Sequence, residues 1–337
     1  MLVSARTGSD SSYYTSQNEL DDPKKFKRVC RGPVMGLANL WELWIDSRSQ
    51  QAIISIRGSV KETDSWLANI YAAMIPAKGR IKNGNNQYIE YNLSDDPKAA
   101  IHAGWTIASV ILLQDMKSHI DSCLGSGIKD IIVTGHSQGV GIANMISTQL
   151  HKIWREGKVM NDLRIKTYCS AAQKPGNLYF AYEFERINQG GWAFNVVNPM
   201  DWVPEVPFSI QTVDDFNEIN PFRNAKKLLN QQKQPYRFLL KKIYKRLSNP
   251  AKRARKNYQK YLGKYLSVIV SKKLHGTEPE FFSQSNNYVR TGQTWLLEPN
   301  ADYLNNNPMR HIEGFPHYMH HSYIYLIQPE INSLESN

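Results

Sequence analysis

The chain has 337 residues, 41% of them apolar, with 41 Lys and Arg against 30 Asp and Glu for a net charge of +11. That apolar share supports a sizeable core and excludes wholesale disorder, and no apolar run approaches the roughly twenty residues that span a bilayer. Cys30, Cys123 and Cys169 are too few and too widely spaced for a disulfide framework, so they read as ordinary buried thiols.

Met1 to Arg28 is polar and lacks the apolar centre of an export signal; it reads as a flexible leader, or as the start of a chain whose signal has been removed. Gly36 to Asp46 reads as a strand, 47–50 as a turn, and Ala52 to Ile56 as a second strand ending at Arg57-Gly58-Ser59. Apolar residues at helical spacing run from Ile107 to Cys123 and lead through Gly125-Ser126-Gly127 into the strand-like run Ile131-Ile132-Val133-Thr134. Ile165 to Ser170 and Phe194 to Asn198 are further strands, each ending in a polar or Gly/Pro-rich loop, where catalytic groups collect in open α/β sheets. A last strand is expected over Thr291 to Leu297, and an apolar pattern closes the chain from Met319 to Ile331. Antiparallel strands followed by alternating strand and helix describe an α/β class: a mostly parallel central sheet flanked by helices, with an antiparallel edge.

Between the last two strands lies the source of the charge. Pro221 to Gly276 holds seventeen Lys and Arg and no Asp or Glu, leaving 24 basic and 30 acidic residues elsewhere, a net of −6. Pro235 and Pro250 divide this segment into three expected helices. The last of them sets Tyr258, Tyr261, Leu262, Tyr265, Leu266 and Ile269 on one face, with Lys256, Lys260 and Lys264 away from it. The expected organisation is a leader over 1–28 and one domain over 29–337, carrying this helical insertion at about 221–276.

Gly135-His136-Ser137-Gln138-Gly139 sits between the strand-like run and a helical pattern through Ala143 and Met145. A serine at such a strand-to-helix turn adopts a strained backbone, and its neighbours two before and two after must lack a Cβ. The turn also sets the Gln138 amide at a helix N-terminus, where it can stabilise an oxyanion. Acyl transfer by serine further needs a base and an acid to orient it, which follow the serine in the order acid, then histidine, in α/β hydrolases. Asp201, on the loop after the strand ending at Asn198, stands where an orienting carboxylate belongs; alone it reads more readily as a surface turn residue capping the loop. His317, His320 and His321 follow in a cluster. Metal binding competes for that cluster, but no second group of ligands accompanies it, so neither metal nor cofactor is expected.

Five ordered motifs now carry a resemblance. Ile54-Ser55-Ile56-Arg57-Gly58-Ser59 resembles the strand ending in Arg-Gly-Thr/Ser of the fungal-type, or class 3, lipases of the α/β-hydrolase superfamily. Asp64 to Ile70 is similar to their Trp-containing segment, and His102-Ala103-Gly104-Trp105 to their His-x-Gly-Phe/Trp helix start. Ser170 to Asn177 resembles their Gly-Ala-Pro-Arg-Val-Gly-Asn loop, and Val197 to Pro204 the loop bearing the catalytic Asp. The resemblance covers roughly Gly36 to Pro207 and the C-terminal histidine region. It implies an α/β-hydrolase fold, Ser137 as nucleophile, Asp201 as orienting acid, and Ser59 with Gln138 as oxyanion donors. In the family an aromatic follows the histidine three or five residues on. His320 meets both spacings through Tyr323 and Tyr325, ahead of His321 and then His317. The resemblance also implies a lid over Val60 to Met74. Gln138 stands for the usual Leu, Val140 for a Gly, and Gln173-Lys174-Pro175 for Pro-Arg-Val; the interval from Asp201 to the histidines is lengthened by the basic segment.

The implied activity is hydrolysis of lipid carboxylic esters, triacylglycerol lipase-like. Phospholipase A1-type activity is the nearest alternative, and a non-catalytic lipid- or surface-binding protein that retains the fold is the rival from another class. The basic segment reads either as an amphipathic contact with an anionic membrane surface or as an insertion packed by its apolar stripe; nucleic-acid binding is the weakest of three readings.

Overall fold

A computed structural model describes residues 1–8, 23–157, 162–306 and 319–335. Their elements in order are α1 (Leu2–Arg6), β1 (Lys27–Arg31), β2 (Trp41–Asp46), β3 (Gln51–Ile56), α2 (Thr63–Ile70), β4 (Met74–Pro76), β5 (Lys78–Lys82), β6 (Tyr88–Asn92), β7 (Ala100–His102), α3 (Ala103–Gly125), β8 (Asp130–His136) and α4 (Gln138–Leu150). There follow β9 (Arg164–Ser170), β10 (Gly176–Asn177), α5 (Leu178–Ile187), β11 (Ala193–Val197), α6 (Ala225–Asn230), α7 (Tyr236–Gln259), α8 (Leu266–Lys273), β12 (Glu278–Pro279), β13 (Tyr288–Val289), β14 (Gln293–Leu296), α9 (Ala301–Asn306) and α10 (His320–Glu335).

The main sheet has seven strands in the order β1-β2-β3-β8-β9-β11-β14. β1, β2 and β3 pair antiparallel, and every step from β3 to β14 is parallel. This is the α/β-hydrolase arrangement, a mostly parallel sheet between helices with an antiparallel edge. Alternation assigns the two faces. Ile54 and Ile56 of β3 and Ile131 and Val133 of β8 point into the main core with α3 and α4. Ile53 and Ile132 point the other way. All thirteen residues of α4 are buried, which its small and apolar composition permits.

Four features depart from the expectations. The strand expected from Gly36 begins only at Trp41, because Met35 and Asn39 close a tight turn with reciprocal backbone hydrogen bonds. The leader is not flexible at its start: residues 1–7 form a helical turn and its end against the second face of the sheet. Val3 packs with Trp44 and Ile53, and Thr7 Oγ1 lies 2.6 Å from Ser55 Oγ. Leu2-Val3-Ser4-Ala5 is small and apolar enough to cover that face. Pro250 does not divide the basic segment, since α7 runs through it from Tyr236 to Gln259. Nor do the six residues expected on one face of the last basic helix share one. Residues 260–265 form a π-turn, whose wider winding rotates Tyr261 and Tyr265 to solvent and leaves Tyr258, Gly263 and Val270 buried.

The C-terminal half of that segment is fixed to the body. Ala73 N donates to Leu262 O, Arg255 Nη1 bonds Asp214 Oδ2 at 2.9 Å, and Lys273 pairs with Asp64 at the start of α2.

Candidate active site

Strand β8 ends at His136, and α4 begins at Gln138, so Ser137 alone makes the turn. It adopts φ 55° and ψ −129°, a left-handed backbone that costs a non-glycine residue of order 1–3 kcal/mol. The strain is held by close approach on both sides. A Cβ on Gly135 would strike the Gly139 carbonyl, and one on Gly139 would lie 2.5 Å from the Ile56 carbonyl oxygen of β3. Ser137 N donates to Ser170 O at 3.1 Å, tying the turn to the end of β9.

Ser59 and Gln138, the expected oxyanion donors, are both buried and are joined through Asn69 of α2. Asn69 Nδ2 donates to Ser59 Oγ at 2.9 Å, and Asn69 Oδ1 accepts from Gln138 Nε2 at 3.0 Å and from Trp105 Nε1 at 3.1 Å. Gln138 Nε2 also donates to Ser65 O at 2.8 Å, while Val60 N donates to Ser65 Oγ. His102 extends the network. Its Nδ1 accepts from Trp105 N, which places the ring proton on Nε2, 3.0 Å from the Asn69 carbonyl oxygen. Burial drops the His102 pKa to about 3, so the ring is a neutral structural link. The segment expected as a lid is therefore bonded to the elbow through α2, with Trp66 and Ile70 left exposed.

Asp201 and His320 arrive at the same end of the sheet from the other side. Asp201 Oδ1 accepts from Val203 N at 2.9 Å, and Oδ2 accepts from the Tyr323 hydroxyl at 2.7 Å. Burial raises the Asp201 pKa to about 6 against the pull of those two hydrogen bonds. His320 opens α10, and its ring lies 3.9 Å from that of His136, the residue before Ser137. Its Nε2 is 3.2 Å from Ser4 Oγ of α1. Burial, and then the neighbouring His136, hold His320 well below the usual imidazole range, so the ring is neutral at pH 7.

The structure thus gathers Ser59, Ser137, Gln138, Asp201 and His320, with bonds from the acid to Tyr323 and Val203 and from the histidine to Ser4. His321 is half-buried beside His320, and His317 lies outside the described residues. Two contributors were not singled out as site residues. Tyr323 is one helical turn past His320, a spacing that already places both on one face. Asn69 carries no signal in the sequence, because its importance lies in partners 10 and 69 residues away.

Residues 53–211 match the family described as Lipase (class 3). Among solved structures, lipase II from Rhizopus niveus is 18% identical, with a TM-score of 0.45 over 61% of this chain and 71% of that one. The triacylglyceride lipase of Rhizomucor miehei is 16% identical, with a TM-score of 0.44 over the same shares. Lip2 lipase from Yarrowia lipolytica is 20% identical, with a TM-score of 0.41 over 55% of this chain and 61% of that one. No curated protein sequence matches the chain.

Proposed function

We propose that this protein, whose residues 53–211 match the class 3 lipase family, hydrolyses lipid esters through Ser137, His320 and Asp201. One observation carries the reading: a serine strained to φ 55° and ψ −129° between the end of β8 and the N-terminus of a buried helix, the backbone that a nucleophile elbow requires.

In this mechanism Ser137 Oγ attacks the ester carbonyl carbon while its proton passes to Nε2 of His320. The carbon–oxygen bond to the alcohol then breaks, and the alcohol leaves with that proton. Water repeats the sequence on the acyl-enzyme and releases the acid. To serve Ser137, the His320 ring exchanges its Ser4 partner for the Ser137 hydroxyl. Asp201, oriented by Tyr323 and Val203, supplies the negative charge that stabilises the imidazolium. The Gln138 amide and Ser59 hold the oxyanion, positioned by Asn69.

The decisive experiment is turnover of p-nitrophenyl esters by wild type and Ser137→Ala. Loss of the nucleophile lowers kcat by roughly 10⁵-fold or more; equal rates overturn the reading in favour of a non-catalytic lipid-binding protein. The exposed N-terminal half of the basic segment 221–276 is the contact with an anionic lipid surface in this reading. Its cations favour a phospholipase A1-type activity as the second reading. Release of the sn-1 acid from phosphatidylglycerol faster than any release from triacylglycerol decides for it.

A further inference from the structure

The basic segment is two different objects. Its C-terminal half is packed: Tyr258, Gly263 and Val270 are buried, and Lys252, Arg255 and Lys273 pair with Asp214 or Asp64. Its N-terminal half, the first three turns of α7, is an amphiphile with its apolar side outward. On a helical projection Leu239, Ile243, Tyr236, Leu247, Leu240 and Tyr244 fill an arc of about 140°, and Arg237, Lys241, Lys245, Lys242 and Arg246 fill the rest together with a single exposed aromatic, Phe238. The helix meets solvent around most of its circumference, with only Arg237, Lys241 and Tyr244 half-buried, and the apolar arc is exposed with the rest: Tyr236 67%, Leu239 53% and Leu247 73%. None of the five cations forms an ion pair with a described residue.

Five exposed apolar side chains in one arc, bordered on both edges by cations, would be an aggregation liability in water alone. The charge selects what covers them. Between Pro221 and Gly276 every ionised side chain is positive, so a second copy of the same helix would be repelled. A nucleic acid would neutralise the cations and leave the apolar arc wet. An anionic phospholipid surface satisfies both parts: the arc enters the acyl boundary while Arg237 and Lys241 on one flank, and Lys242 and Arg246 on the other, reach the headgroups.

We propose that residues 236–247 are an interfacial anchor for anionic phospholipid surfaces, lying parallel to the membrane and carried by the packed half of the segment. No described helix is long and apolar enough to cross a membrane, so the anchor rests on the surface. The packed half is bonded to α2 through Lys273–Asp64, and to the residues after it through Leu262–Ala73. The anchor is therefore coupled by rigid contacts to the segment that holds Ser59 and Gln138. This inference rests on the lipid-ester reading for its purpose, but its test does not use catalysis.

The full-length protein is mixed with vesicles of phosphatidylcholine alone and of phosphatidylcholine with phosphatidylglycerol, and the bound fraction is measured by flotation. Wild type and Ser137→Ala are expected to bind the anionic vesicles equally and to be released as salt rises. Lys242→Gln with Arg246→Gln lowers partitioning by about 25-fold, roughly fivefold per cation. Leu239→Ser with Ile243→Ser and Leu247→Ser lowers it further still. Lys256→Gln with Lys272→Gln, on the packed half, leaves it within about twofold of wild type. All variants keep the wild-type far-ultraviolet circular dichroism spectrum and melting transition, which reports that they are folded. Equal loss in the Lys256/Lys272 pair, binding to neutral vesicles as strong as to anionic ones, or no binding at all overturns the anchor. So does tighter binding to duplex DNA that survives the triple serine substitution. Inactivity of wild type on every ester, with vesicle binding intact, overturns the catalytic reading and leaves the anchor standing.

Discussion

Asn69 meets three side chains through one amide, and two of them, Ser59 and Gln138, belong to the proposed oxyanion site. Asn69→Ala strands the Trp105 and Gln138 donors, at a cost of about 1–3 kcal/mol of stability. It also lets Ser59 rotate, so kcat is expected to fall about tenfold to a hundredfold with little change in KM, because the oxyanion develops after substrate is bound. A purely structural Asn69 would lower the melting temperature and leave kcat alone. Asp201 gives a pH signature of two opposite signs. Its carboxyl ordinarily titrates near 3.8 and is pushed up to about 6 by burial. Between those values the folded protein holds a proton that the unfolded chain releases, so this group's contribution to stability falls as pH rises through the window, by about 3 kcal/mol. In the proposed mechanism activity needs the carboxylate and moves the other way, with kcat/KM falling below a midpoint near pH 6. Asp201→Asn should therefore be inactive, and its melting temperature should gain on wild type more at pH 8 than at pH 5. Equal differences at the two pH values refute the assignment. Ser4 Oγ holds the nitrogen that Ser137 needs in the mechanism. Ser4→Ala removes that competitor, and single-turnover rates are expected to rise about fivefold, the worth of one neutral hydrogen bond.

Elements were legible in the sequence where the signal is local. The strand–serine–helix turn reads from five residues because glycine, strain and helix start are neighbours in the chain. Alternating strands and helices gave the sheet, and the antiparallel β2–β3 pair was visible as two apolar runs around a polar turn. Elements set by distant contacts were not. Pro250 looks like a break, yet α7 continues through it, tied down beyond it by Arg255 to Asp214. The π-turn at 260–265 shifts the buried face by one residue, a change that a 3.6-residue period does not anticipate. Ser4 could not be connected to the site either, since its partner lies 316 residues away. One substitution tests the packing between elements. Gly139→Ala pushes a methyl against the Ile56 carbonyl of β3, and backbone there has no rotamer to yield. It is expected to lower stability by about 2–4 kcal/mol and to abolish activity even where the protein remains folded, as read by thermal melts alongside ester turnover.

At the scale of the whole molecule, β11 and β14 lie side by side and pair in parallel register from Phe194 with Gln293 to Val197 with Leu296. Nearly a hundred residues, the basic segment among them, leave the sheet from one strand and return on its neighbour. Closing so long a loop costs little more than closing a shorter one, since the entropy grows only as the logarithm of length. The order of events is another matter. Everything up to β11 can assemble around local and medium-range pairings, with the Ser137 turn already strained and Asp201 already on its loop. Tyr323, His320 and the Ser4 contact join only when the far end of the chain comes home. Refolding should therefore restore far-ultraviolet helical signal before ester turnover, with an interval between the two phases. In the proposed mechanism the nascent chain would carry a finished nucleophile with no base to activate it, and would stay chemically silent until α10 docks.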